Sequence, residues 1–213
     1  MPILEALGVA VPVDRALLIE IDPALCSLLV ALFSDPESIA DDIDARSGTN
    51  ARDEWARARA GMAPADVLLT IAGSRGGTRD GGFKGLHKLR ASVDGFTPNR
   101  RALAARVREF TAVRGRVDVL CADAACVVAS DYEATAVYID PPYFGRRGYG
   151  QTLADPAGIA RIWTEAGHRV VVSEAFPLRG AVATHEITNL RAGQSRQRNS
   201  NDNTEWLSVF GGR

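Results

Sequence analysis

The chain has 213 residues, 46% of them hydrophobic and 24% charged, with a formal net charge of -1. That composition excludes collagenous, low-complexity and disulfide-dense chains and fits one main globular domain carrying an inserted segment. So small a net charge provides no global field for DNA or anionic lipid, so any nucleic-acid surface has to come from local segregation of charge.

Along the chain, "ALLIEID" (16 to 22) is a short apolar run closed by acids, and "PALCSLLVALF" repeats at helical spacing with a proline at its start. This reads as strand, turn, helix, with Glu20 and Asp22 at the strand's carboxyl end. "SIADDIDARSGTNARDEWARARAGM" continues as helix of mixed charge, interrupted around Ser47 to Asn50, and is expected to be a solvated cover. From Ala72 to Arg101 the character changes. Glycines crowd this stretch, and Arg75, Arg79, Lys84, Lys88, Arg90, Arg100 and Arg101 outnumber Asp80 and Asp94. Two readings stand for it: a solvated loop, or a segment whose cations meet DNA phosphates.

"RALAARVREFTAV" returns to helix, and "RVDVLCADAACVV" reads as a strand with a turn at Asp123. After "TAVYIDPPY" comes "DPAGIARIWTEAG", a helix between Pro156 and Gly167 with Trp163 on its apolar face, and then the strands "HRVVVSEAFPL", "AVATHEITNL" and "TEWLSVFGG". Strands alternating with helices predict a Rossmann-like doubly wound, mainly parallel sheet with an antiparallel pair at its C-terminal edge. Ligands of such sheets bind beyond the carboxyl ends of the strands, where Glu20, Asp123, Asp140 and Glu174 would form one rim.

Cys26, Cys121 and Cys126 lack zinc-site spacings and are expected as buried free thiols. His87, His168 and His185 form no ligand pattern, so no metal is expected. No apolar run approaches the roughly 18 residues of a membrane span, and the first residues have no basic leader. A soluble, cytoplasmic protein without a membrane partner is therefore expected.

The stretch "TAVYIDPPYFGRRGYG" (135 to 150) carries the chemistry. A carboxylate and a proline carbonyl beyond a strand are two acceptors on a stiff turn, and neither proline has an N–H to compete for them. Such a pair suits a planar NH2 group, and Tyr143 can stack on a base rotated out of a duplex. The bland alternative is a strand stopped by prolines, with Asp140 as a turn acid. Glu20 could equally be an acid at a helix start, and Asp123 an N-cap.

Taken together, these stretches resemble the Dam-like DNA adenine methyltransferases, particularly those of phages and prophages. The resemblance rests on "DPPY", "LLIEIDPAL", "VDVLCADA", "GHRVVVSEAFPL" and "NTEWLSVF", in the family's order over most of residues 16 to 210. It implies transfer of a methyl group from S-adenosyl-L-methionine to the N6 amine of adenine in double-stranded DNA. In that reading Asp140, Pro141, Pro142 and Tyr143 are catalytic, and Glu20, Asp123 and Asp140 bind the cofactor. Arg75, Arg79, Lys84, Lys88, Arg146 and Arg147 would meet DNA. Residues 1–71 and 102–213 would form the methyltransferase domain and 72–101 the recognition segment, while the loop "RAGQSRQR" (191 to 198) offers phosphate contact or mere solvation.

Two alternatives remain open, methylation of the N4 amine of cytosine and an inactive, truncated DNA-binding remnant. The family's glycine-rich first motif has no match in "MPILEALGVAVPVDR". Either the chain starts late or its central strand is filled in another way, and weak cofactor binding is expected.

Overall fold

The computed structural model describes residues 15–84, 96, 99–133, 136–141, 155–188 and 204–211. They belong to two compact units, one spanning Asp14–Ala124 and the other built from Ala125–Arg213.

In the first unit, strand β1 (Ala16–Glu20) leads into helices α1 (Pro23–Ser34), α2 (Pro36–Ala45), α3 (Ala51–Ala60), α4 (Pro64–Gly73) and α5 (Arg100–Arg108), and then strand β2 (Val117–Cys121). Asp-Pro pairs start both α1 and α2, the aspartate accepting backbone N–H bonds while the proline takes the first helical position, where its missing donor is not needed. Asn50 caps α3, so the break expected at 47 to 50 is a turn between two helices. α4 is a helix not expected from the sequence: Ala63 stands where each of the other described α-helices has a capping Asp or Asn, and no side chain caps it. Leu28, Ile43, Val67, Leu69, Phe96 and Val107 pack with other buried residues, Leu32, Ile39 and Leu103 among them, into one helical core. β1 and β2 pair in parallel, Glu20 lying opposite Cys121.

Much of the charge in this unit is structural. Arg108 spans Glu37, Asp41 and Asp44, fastening α5 to α2. Arg100, counted above among the basic residues of the recognition segment, is only 2% exposed. Its guanidinium donates to the Thr49 hydroxyl at 2.8 Å, the Thr49 carbonyl at 2.7 Å and the Arg46 carbonyl at 2.5 Å, closing the α2–α3 turn. It also lies 5.0 Å from the Phe96 ring centroid. Arg100→Met keeps the packing volume but strands those acceptors. A loss of about 3 kcal/mol or more is expected, read as a lower urea midpoint.

The second unit contains strand β3 (Ala136–Ile139), helix α6 (Pro156–Glu165) and strands β4 (Arg169–Glu174), β5 (Ala183–Thr188) and β6 (Thr204–Phe210). Its sheet runs β3-β4-β6-β5, with β3 and β4 parallel and β6 antiparallel to both neighbours. The antiparallel C-terminal pair agrees with the sequence reading. Asp155 and Pro156 start α6, and Gly167, at φ 97°, ends it in the left-handed region that favours glycine. Trp163 is buried as expected, its ring tilted against that of His168 at 5.2 Å, and the His168 ring bonds the Ala129 carbonyl at 3.1 Å.

The molecule is thus a mixed α/β protein whose described strands form a two-stranded parallel sheet and a four-stranded mixed sheet. A single doubly wound sheet is not formed by the described residues. Among them, no single helix is long and apolar enough to cross a membrane.

Candidate active site

Register decides which side chains of the second unit meet. Successive strand residues alternate between faces, and residues in register share one. Tyr138 lies opposite Val171, and Ser173 opposite Leu207, two residues from Glu205. One face therefore carries Val171, Leu207 and Val209 as an apolar floor, with Ala136, Tyr138 and Ile187 packed against it. At the carboxyl end of β3 this floor turns polar.

There the Ser173 hydroxyl, fully buried, donates to Glu205 Oε1 at 2.6 Å and also hydrogen-bonds the Tyr138 hydroxyl. Asp140 follows directly after β3 and keeps an exposed face, while Pro141 is buried behind it. Partial desolvation, then the negative charges of Glu205 and Glu174, push the Asp140 carboxyl pKa up. Tyr138 is pushed up to about 12, first by burial, against a lowering by its Ser173 hydrogen bond, with Asp140 and Glu205 adding to the rise. Glu174, 2% exposed, points to the opposite face and folds back on its own chain, accepting the Ala175 N–H at 2.7 Å.

An exposed carboxylate just beyond a strand, next to a buried proline that has no N–H, can accept hydrogen bonds from an amine that arrives in plane. It can also take up a proton. Pro142 and Tyr143 lie outside the described residues, as do Arg146 and Arg147.

In the first unit, Glu20 and Asp123 stand at the carboxyl ends of adjacent parallel strands, one ending β1 and the other two residues beyond β2. Glu20 Oε1 accepts the Asp22 N–H at 2.7 Å, and its second oxygen receives no hydrogen bond from a described residue. Asp22 caps α1 through Ala24 N–H and Leu25 N–H. The four acids expected on one rim lie two in each unit, Glu20 and Asp123 at the ends of β1 and β2, and Asp140 and Glu174 at the ends of β3 and β4.

The Gly-Arg stretch is folded where it is described. Lys84 N–H donates to the Gly73 carbonyl at 2.7 Å and Arg75 N–H to the Gly82 carbonyl at 2.8 Å, forming a hairpin-like loop. Phe83 packs on Trp55 of α3, and Arg59 lies over the same indole while donating to the Gly81 carbonyl. Glycine is required at 73, because a Cβ there would lie 2.6 Å from Trp55. Arg75 is exposed, but Arg79 is engaged with Asp22 at 3.1 Å, so the loop reaches the carboxyl end of β1. Lys88 and residues 191 to 198 lie outside the described residues.

The cysteine expectation needs correction. Cys26 and Cys121 form a disulfide with Cα atoms 5.7 Å apart, because packing α1 on β2 joins positions 95 residues apart in sequence. Only Cys126 is free, and it is exposed rather than buried. Among the described residues no group of His, Cys, Asp and Glu side chains is placed to hold a metal ion.

No protein-family model matches the chain, and no curated protein matches it.

Asp140, Pro141, Glu20 and Asp123 are expected as site residues from the sequence, whereas Tyr138, Ser173 and Glu205 are not. Their signal is the period of two: "YID" sets Tyr138 and Asp140 on one side, and "EWLSV" sets Glu205 with Leu207 and Val209.

Proposed function

We propose that the protein is a DNA methyltransferase that moves a methyl group from S-adenosyl-L-methionine to the N6 amine of adenine in double-stranded DNA. The observation that carries this reading is Asp140, exposed at the carboxyl end of β3 directly before the buried Pro141. Asp140 and the Pro141 carbonyl hold the amine's two hydrogens, so that the nitrogen lone pair is drawn out of conjugation and becomes nucleophilic. Tyr143 stacks on the extruded base.

Glu20 and Asp123 fit the nucleoside end of the cofactor: the uncommitted Glu20 oxygen suits a ribose hydroxyl and Asp123 an adenine amine. When bound, S-adenosyl-L-methionine supplies the electrophilic methyl group. Arg75, Lys84 and Lys88, with Arg146 and Arg147, meet DNA phosphates in this reading. Arg79 would do so only by exchanging Asp22 for a phosphate.

The underlying fold we infer is Rossmann-like and doubly wound. The expected setting is the cytoplasm of a host cell, for a phage-type enzyme. A second reading, the inactive DNA-binding remnant, is favoured by the division of the described strands between two sheets.

The decisive experiment incubates the protein with duplex DNA and labelled S-adenosyl-L-methionine, followed by mass spectrometry of the digested nucleosides. N6-methyladenine is expected. N4-methylcytosine would move the assignment to the other amine. Salt-sensitive DNA binding with no methyl incorporation would leave the remnant standing in place of the enzyme.

A further inference from the structure

The proposed reaction assigns Asp140 an acceptor role but leaves the buried pair beside it unused. Ser173 is a fully buried serine in the middle of a sheet, and its hydroxyl is spent on a carboxylate, Glu205, at 2.6 Å. An apolar residue would fill that position more cheaply, because burying a hydroxyl and half-burying a charge both cost desolvation. The arrangement fixes a negative charge at the start of β6, on the face shared by Tyr138 and Asp140. Two carboxylates at the same end of one face repel each other, and the exposed one gains affinity for a proton.

We propose that Glu205, held by Ser173, is a positioning residue of the methyl transfer: its fixed charge makes Asp140 the acceptor of the proton that the base amine releases. This inference rests on the methyl-transfer reading and deepens it. The amine nitrogen uses its lone pair to form the N–C bond, while the C–S bond of the sulfonium donor breaks and its electron pair stays on sulfur. The nitrogen, now cationic, loses one N–H proton to an Asp140 oxygen, and the N–H electron pair returns to nitrogen. Asp140, now a neutral acid, gives the proton to water through its exposed face. No oxidant or further co-reactant is needed.

Each described element around Asp140 contributes to the balance. Tyr138 on β3 stays protonated. Glu174 on β4 adds negative charge from the opposite face and is tied to its own backbone. α6, packed against β3 and β4, brings Asp155 and Arg161, which face each other at 3.6 Å. β5 lies beyond β6, and its His185 and Glu186 are in register with Leu207 and Trp206. Glu205 is therefore the charge whose removal changes the site most while sparing the sheet.

Glu205→Gln keeps an acceptor for the Ser173 hydroxyl and removes the charge. Carbon-13 NMR of aspartate-labelled protein, with Asp140→Asn to assign the signal, reads the Asp140 titration midpoint without any methyl transfer. That midpoint is expected to move to lower pH in Glu205→Gln. The rising limb of the pH profile of kcat is expected to move the same way, with a plateau fall of roughly tenfold and an unchanged KM for DNA, a fraction of the roughly 10²–10⁴ that a positioned base contributes. If Glu205→Gln does not fold, Ser173→Ala, which releases the carboxylate without deleting it, is expected to shift the midpoint in the same direction.

An unmoved midpoint overturns the proposal, even in an enzyme that methylates normally. A wild-type protein that transfers no methyl group overturns the parent reading instead, and the NMR arm tells the two failures apart.

Discussion

Asp140→Ala is expected to lower methyl transfer by roughly 10³-fold or more while the protein stays folded. The size follows from what the proposed reaction would lose: an acceptor for the amine and the acceptor of its proton, in one group. The fold has little reason to suffer, because Asp140 is exposed and lies just beyond the last residue of β3. The effect on stability has a sign of its own. Burial and the charges of Glu205 and Glu174 raise the Asp140 carboxyl pKa, so the native state holds this proton more tightly than the unfolded chain does. The ionised form at neutral pH therefore costs stability, and the cost disappears as pH falls below the folded-state and then the unfolded-state value.

Asp140→Asn removes that cost. Its thermal midpoint at pH 7 is expected to match or exceed that of the wild type, with the gap closing as the solution is acidified. Lost activity together with equal or greater stability is the mark of a group kept for chemistry. A variant that loses stability at pH 7 would instead return Asp140 to the plain role of a turn acid. Retained methylation of an adenine-containing duplex by Asp140→Ala would remove the catalytic assignment outright.

The parts of the molecule readable in the sequence are those specified by neighbours in the chain. Strand, Asp-Pro cap and amphipathic helix are written within a dozen residues, which is why β1 with α1, and α6 with β4, appear where the periodicity puts them. α4 lacks such a cap, and its apolar run could equally be a strand. The basic segment shows a different limit. Composition registers Arg79 and Arg100 as free cations, but a guanidinium's partner is chosen by the fold, and these two face Asp22 and the Thr49 turn. The half of the site around Asp140 was readable because an acid and a proline are adjacent in sequence. Its tuning half was not, because Ser173 and Glu205 meet only once β6 has inserted between β4 and β5.

The cysteine pair belongs to the same class and has the larger stability effect. Cys26 lies buried on α1, and Cys121 is exposed at the end of β2, opposite Glu20. A cross-link over a sequence separation of 95 residues removes much of the freedom of the unfolded chain, worth about 4 to 5 kcal/mol by loop-entropy reasoning. It also ties the helix capped by Asp22 to the strand that leads to Asp123, so it braces the two acids proposed to hold the cofactor's nucleoside. In a reducing cytoplasm the pair stands as thiols, and the cross-linked stability belongs to oxidising solution.

Chemical unfolding with and without reductant is therefore expected to give well-separated midpoints. Cys121→Ser without reductant should follow the reduced curve, and Cys126→Ser, which removes the free and exposed thiol, should follow the oxidised one. The same comparison repeated as calorimetric titration with S-adenosyl-L-methionine should show weaker binding on reduction if the brace holds Glu20 beside Asp123. Coincident unfolding curves would mean that the two sulfurs sit side by side without bonding, and the brace would then be the packing of α1 on β2 alone.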